Sequence, residues 1–229
     1  MKKKSLIFIV MFLLFLSLFS INSCKSRTKE EAPPDPLEIT HEVMLETNKG
    51  NIKLGLYGNA MPVSVENFLS YVRDRFYDGL IFHRVVGNFV VQGGGFDKDM
   101  VQKETRPPIK LEMPPSEEVT DESGRTSKRL LISHDKYVLA MARTRIPNSA
   151  TSQFYITLSP QKRLDPNPNY NEPNGYAVFG KVLEGFEVVD AIGAVETSTK
   201  KGHQGVPVEN VVIVKASVLG DEVGEPEQK

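Results

Sequence analysis

Short apolar runs separated by turn residues, with only two helical stripes set far apart, constrain this chain more than any other feature. Val43 and Leu45 alternate with polar neighbours, Asn48-Lys49-Gly50-Asn51 turns the chain, and Ile52, Leu54 and Leu56 alternate again. Period two on both sides of a turn predicts an antiparallel hairpin. Pro62 opens a helix, as proline does in a first turn, and Val65, Phe68, Leu69, Val72 and Phe76 follow as one apolar stripe. Apolar runs over 80–82, 89–92, 137–141, 154–158 and 176–182 read as further strands. A second helix covers 184–192 with Gly193 as its stop, and 208–218 closes the chain as a long strand. Many short strands with two separate helices predict an all-β-dominated, closed barrel rather than a βαβ sheet. No internal repeat is present.

Composition narrows the class. The 229 residues are 40% hydrophobic and 25% charged, ordinary for a globular domain. A collagen-like, wholly disordered or polytopic membrane chain is excluded. Lys plus Arg is 28 against 29 Asp plus Glu, so the basic excess of a nucleic-acid binder is missing. A single cysteine excludes an intramolecular disulfide and any multi-cysteine metal site. His41, His83, His134 and His203 fall at no ligand spacing, so no metal and no cofactor are expected. Gly93-Gly94-Gly95 lacks the lysine and βαβ context of a phosphate loop and reads as backbone crowding at a strand end.

Both ends of the chain read differently from its middle. Lys2-Lys3-Lys4 precedes an apolar run from 6 to 21, the layout of a secretory signal. Ile21-Asn22-Ser23-Cys24 then resembles a bacterial lipobox. Two readings stand: cleavage before Cys24 and lipidation of its thiol, or an uncleaved signal anchor with an incidental cysteine. Either exports the domain. Removing residues 1–23 takes away three lysines and no acid, leaving a net charge of −4. Residues 24–40, with Pro33-Pro34-Asp35-Pro36, read as the lipidated end and an extended tether, 41–220 as the domain, and 221–229 as a disordered tail. Two patternless stretches, about 97–135 and 166–175, read as insertions. The acids Glu112, Glu117, Glu118, Asp121 and Glu122 make the first either a solvated loop or a docking surface.

The chemistry concentrates in two segments. In Phe82-His83-Arg84-Val85-Val86-Gly87-Asn88-Phe89-Val90-Val91-Gln92-Gly93-Gly94-Gly95-Phe96, residues two apart share a face and a bend at Gly87-Asn88 folds the second half back. Arg84, Phe89 and Gln92 then converge on one patch. On the residues alone, this is equally a plain strand pair with a snorkelling arginine.

The segment resembles the signature of the cyclophilin family of peptidyl-prolyl cis-trans isomerases. A second stretch resembles the other hallmark of that family, from Ala140-Met141-Ala142-Arg143-Thr144 through Asn148-Ser149-Ala150-Thr151-Ser152-Gln153-Phe154-Tyr155-Ile156. Tyr176-Ala177-Val178-Phe179-Gly180-Lys181-Val182 is a third match. Ala-Arg-Thr, in place of Ala-Asn-Ala, is similar to the bacterial periplasmic branch. The likeness runs from about Glu42 to Leu219. It implies a closed eight-stranded antiparallel barrel capped by two helices and a monomer acting on Xaa-Pro polypeptides.

It also implies roles. Arg84 is the catalytic arginine, with His83 and Gln92 beside it. Phe89, Val90, Tyr155 and Leu164 line the proline pocket and Tyr176 its rim. Ala142 and Arg143 offer backbone groups, and Gln153 an amide. Arg163 stands where many members carry a tryptophan that hydrogen-bonds cyclosporin, which predicts weak cyclosporin binding with activity retained. Tyr155 replaces the commoner phenylalanine and brings a hydroxyl that needs a partner if buried. Val90 replaces the common methionine, and Gly87-Asn88 the usual Pro-Gly turn. Two functions are compatible with these residues: an isomerase assisting exported chains, or a binding module that holds proline-bearing loops as a chaperone or envelope scaffold.

Overall fold

Alternating side chains generate the first hairpin. In the computed structural model, which describes residues 35–170 and 174–221, Val43, Leu45, Ile52, Leu54 and Leu56 are fully buried. They belong to β1 (His41–Thr47) and β2 (Gly50–Leu56), joined at Asn48-Lys49. Helix α1 (Pro62–Arg73) follows with Pro62 in its first turn. Met61 offers no side-chain cap, and Glu112 supplies one instead. Its carboxylate accepts the Val63 and Ser64 amides at 3.0 and 2.8 Å, a negative charge placed at the positive end of the helix dipole. Phe68 drives the buried face of α1 into the sheet, with ring centroids 5.3 to 5.4 Å from those of Tyr77, Phe154 and Phe179.

The other strands of the main sheet are β4 (Arg84–Val86), β5 (Val90–Gly93), β9 (Val138–Met141), β10 (Phe154–Thr157), β11 (Val178–Glu184) and β14 (Ile213–Leu219). Two-residue strands β3 (Leu80–Ile81) and β6 (Phe96–Asp97) pair with each other. Helix α2 (Phe186–Gly193) follows β11 and buries Val189 and Ile192. Its entry is Gly185 at φ +85°, where a Cβ would stand 2.2 Å from the Asn51 carbonyl oxygen. Only glycine fits that approach.

Eight antiparallel strands run in the order β14-β1-β2-β11-β9-β10-β5-β4. The expected closed barrel is corrected here: the sheet curls into a half-barrel that is open, because β4 and β14 do not pair. The free edge of β14 is already occupied. Gly79 donates to the Ile213 carbonyl at 2.8 Å, Phe82 to that of Val211 at 2.9 Å, and the Asp78 carboxylate accepts the Ala216 amide at 2.9 Å. The final strand also starts at Ile213 rather than 208, since the preceding residues make these loop contacts.

Two hairpins that the apolar pattern does not show complete the chain. β7 (Ser116–Thr120) and β8 (Thr126–Leu130) lie within the first insertion, and β12 (Thr197–Lys200) and β13 (His203–Pro207) follow α2. The turn of the second hairpin is Lys201-Gly202, both at positive φ, the backbone a two-residue hairpin needs. The insertions also touch. Asn169 accepts the Lys128 amide at 3.0 Å and donates to its carbonyl at 3.3 Å. Residues 35–40, read as tether, are bonded to the domain: Thr40 Oγ1 accepts the Gly58 amide and Glu38 the Asn59 side chain. Residues 1–34, including the signal run and Cys24, lie outside the described residues, as do 171–173 and 222–229.

Candidate active site

Register builds the site. Arg84 of β4 sits opposite Gln92 of β5, and Gln92 sits opposite Tyr155 of β10. Directly opposed residues of antiparallel strands share a face, so cation, amide and phenol form one row across three strands. A three-residue loop, 87–89, joins β4 to β5, with Asn88 at φ +55° and the Phe89 amide bonded to the Val86 carbonyl. This loop swings Phe89 over the row. The Arg84 guanidinium carbon lies 5.6 Å from the Phe89 ring centroid, and its Nη1 donates to Gln92 Oε1 at 3.4 Å. The remaining Gln92 group, Nε2, donates to Gln153 Oε1 at 3.0 Å.

A cavity of about 260 Å³ opens beside this row, lined by Arg84, Phe89, Val90, Gln92, Ala142, Arg143, Tyr155, Leu164 and Tyr176. Nine residues implied by the resemblance thus surround one pocket. His83 and Gln153 do not line it. They face a neighbouring cavity with Arg84, Gln92, Phe96, Gly202, His203 and Gln204. Arg84 borders both cavities, whereas His83 sits just before β4 and borders only the second. Its ring rests 4.6 Å from that of Phe96 and is 4% exposed, and its Nδ1 has no hydrogen-bond partner. Burial, then the nearby His203 and Arg84, lower its pKa to about 4. His83 is therefore neutral at pH 7.

Each flank of the pocket is fixed by backbone bonds. The Ala142 amide donates to the Gln153 carbonyl at 2.9 Å, which leaves its carbonyl as the group to offer a peptide. Arg143 donates from Nε to the Gly175 carbonyl and from Nη1 to that of Thr144, and its guanidinium covers the Tyr176 ring at 4.5 Å. Tyr176 meets Tyr155 nearly edge-on. Gly94, at φ +83°, packs where a Cβ would be 2.9 Å from Tyr77 and 3.0 Å from the Ser152 carbonyl oxygen. The glycine run serves this close approach of the backbone just beyond the end of β5.

Beneath the pocket lies a chain of groups that the sequence reading did not assemble. Tyr155, 5% exposed, bonds through its hydroxyl to His134 Nε2 at 2.8 Å, and His134 Nδ1 bonds to Asp165 Oδ1 at 2.7 Å. In the tautomer whose Nδ1–H donates to the carboxylate, Nε2 accepts a hydrogen bond from the Tyr155 hydroxyl. Asp165 also accepts from the His134 amide and the Ser133 hydroxyl. Burial opposes ionisation of Asp165, but these hydrogen bonds outweigh it and hold its carboxyl below the usual range. Burial pushes the Tyr155 phenol well above its ordinary value, so it stays protonated. The phenolic oxygen at position 155 was the signal that such partners exist.

Among the described residues, no group of three or more His, Cys, Asp or Glu side chains is arranged to hold a metal. The family model for cyclophilin type peptidyl-prolyl cis-trans isomerase/CLD matches residues 42–218. The chain belongs to this family. Peptidyl-prolyl cis-trans isomerase cyp18 of Streptomyces antibioticus is 47% identical to this cyclophilin over 180 residues, spanning 78% of this chain and 98% of its own. Peptidyl-prolyl cis-trans isomerase B of Escherichia coli is 39% identical over 176 residues, spanning 77% and 98%. Among solved structures, cyclophilin AquaCyp293 of Hirschia baltica superposes with a TM-score of 0.61 at 20% identity, covering 81% of this chain and 76% of its own. A cyclophilin type isomerase of Cryptosporidium parvum gives 0.60 at 22%, covering 80% and 99%. At these identities the structural likeness bears on fold.

Proposed function

We propose that this cyclophilin accelerates cis–trans isomerisation of Xaa-Pro bonds in exported polypeptides, with Arg84 stabilising the twisted amide. The observation that carries the reading is the Arg84 guanidinium held by Gln92 and Phe89 at the edge of a cavity of about 260 Å³ that Phe89, Val90 and Leu164 also line. Rotating an amide costs about 18–20 kcal/mol because its C–N bond is partly double. At a right-angle twist the resonance is lost and the proline nitrogen regains a lone pair. A guanidinium beside the ring donates to that lone pair only in the twisted state, which is differential binding of the transition state. No covalent bond breaks, so no group of tuned pKa is required. Arginine suits the task because it stays charged and carries several donors on a rigid fork.

One charge-assisted hydrogen bond contributes about 1.5–3 kcal/mol, and each decade of rate needs about 1.36 kcal/mol. Five decades therefore require more than Arg84. Phe89, Val90, Leu164, Tyr155 and Tyr176 grip the ring in this reading, while Gln92 and the backbone of Ala142 and Arg143 hold the flanking peptide. The protein acts as a monomer of the bacterial periplasmic type, anchored through a lipid on Cys24 at the periplasmic or outer face of a membrane. That part rests on the n-region, the apolar run and the lipobox resemblance. Labelled palmitate should enter the full chain but not its Cys24→Ser variant, and an unlabelled wild type would remove the anchor.

The test of catalysis is exchange NMR on a short Ala-Pro peptide with residues 25–229. Wild type should accelerate the uncatalysed flip, which takes about 10–100 s, and Arg84→Ala should lose roughly 10- to 100-fold of that acceleration. A folded wild type that leaves the exchange rate unchanged would defeat the enzyme and leave a binding module at the same groove.

A further inference from the structure

Three guanidiniums border the pocket, and none holds a carboxylate. Arg84 and Arg163 both lie against Phe89, at 5.6 and 4.7 Å from its centroid, and Arg143 lies against Tyr176. Outside the pocket, Arg73 pairs with Glu66 and Asp221, Arg106 with Asp74, Arg125 with Asp121 and Arg129 with Glu117, while Arg75 and Arg145 hold no carboxylate among the described residues. Neither the pocket nor the cavity beside it is lined by an acid. Asp165, two residues from Arg163, is turned inward onto His134 and Ser133. The groove is therefore a cationic strip on a chain whose net charge is −1.

The three arginines are not equivalent. Arg84 donates to Gln92, and Arg143 donates to two backbone carbonyls. Arg163 is exposed on the 3-10 turn Lys162–Leu164, and its guanidinium lies over the Phe89 ring and pairs with no carboxylate among the described residues. Stacking on a ring leaves the N–H edge of a guanidinium directed outward. That edge matches a carboxylate, which it can hold through two parallel hydrogen bonds.

We infer that Arg163 makes this cyclophilin select acidic residues flanking the proline. The inference rests on the isomerase reading above and adds a substrate class to it: peptides in which Asp or Glu stands within a residue or two of the Xaa-Pro bond. Arg163 is then a specificity-determining residue that need not touch the rotating amide.

The experiment compares peptides with Glu, Gln or Lys placed at one flank of Ala-Pro-Ala at a time, at low ionic strength. Turnover is read by exchange NMR and affinity by chemical-shift titration. At one flank, Glu should exceed Lys by about fivefold in kcat/KM or affinity, the scale of an exposed charge pair, and the ratio should shrink in high salt. Arg163→Gln should bring the ratio close to unity, Arg163→Lys should retain most of it, and Arg163→Glu should invert it. A misplaced loop would not produce that sign change. Equal handling of Glu and Lys at both flanks by wild type overturns the inference, as does a preference that persists in Arg163→Gln. The Ala-Pro-Ala peptide reports the isomerase reading separately. Should turnover fail, the Glu-to-Lys affinity ratio still decides the role of Arg163.

Discussion

Tyr155 shows how one atom reorganises a pocket floor. A phenylalanine there would need nothing from its surroundings, whereas the phenol draws His134 and Asp165 into a buried chain. In sequence, His134 is one of four separated histidines, and nothing in their spacing singles it out. The need for a partner was legible, but its identity depends on a contact across 21 residues. His134→Ala should cost roughly 2–4 kcal/mol, because it opens a cavity and strands the buried Tyr155 hydroxyl, while Asp165 keeps the backbone amide of residue 134 and Ser133. Tyr155→Phe should cost about 1–3 kcal/mol, because it leaves the buried His134 Nε2 without its partner, and should keep its isomerase activity. Urea midpoints beside peptide exchange rates would check both. His83 gives a pH signature. Its folded pKa of about 4 lies below the ordinary histidine value of 6.5, so between those values the unfolded chain binds a proton that the folded chain does not. Stability should fall as pH drops through that window, by about 3 kcal/mol in full. His83→Asn should flatten this part of a stability-against-pH curve.

Elements were legible in proportion to how one-sided their burial is. The β1–β2 hairpin and α1 each bury one face, and their period shows. β7 and β8 are almost wholly exposed on both faces, so the pairing of Glu117 with Arg129 and the Asp121-centred turn leave no apolar pattern. The acidic run divides in the same way, with Glu112 capping α1 while Glu117 to Glu122 lie on this hairpin. The site followed the same rule. Arg84, Phe89 and Gln92 come from one hairpin whose register is local, and their convergence is readable. The rim is set by the second insertion, where Gly175 hands its carbonyl to Arg143. At Gly175 φ is +69°, and a Cβ would stand 2.3 Å from the Pro166 nitrogen. Gly175→Ala must therefore move backbone and lose the Arg143 contact, at a cost of about 1–3 kcal/mol. Saturation kinetics should show KM raised several-fold and kcat changed much less, since Arg84 stands on other strands.

At the scale of the whole molecule, the open seam is what the sequence could not disclose. Strand count and antiparallel order follow from alternation and turns, but closure depends on which edge groups meet across the chain. An unpaired edge of β14 would be a template for association, and the segment 78–82 removes it. Asp78 matters most in that segment, because its carboxylate accepts the Ala216 amide where a strand carbonyl would otherwise do so. Asp78→Ala leaves that amide without its partner at the seam, and Asp78→Asn keeps an acceptor there. The alanine variant should lose about 1–3 kcal/mol and the asparagine variant distinctly less, because a hydrogen bond to a charged acceptor is the stronger one. Both should lower the urea midpoint while leaving the slope unchanged, since the surface exposed on unfolding is the same. Because the Gly79 and Phe82 amides still hold the segment that leads into Arg84 when the Asp78 contact is lost, neither variant should alter the exchange rate of an Ala-Pro peptide while folded. A drop in rate that tracked the loss of stability would instead mean that the half-barrel transmits strain from its seam to the row of Arg84, Gln92 and Tyr155.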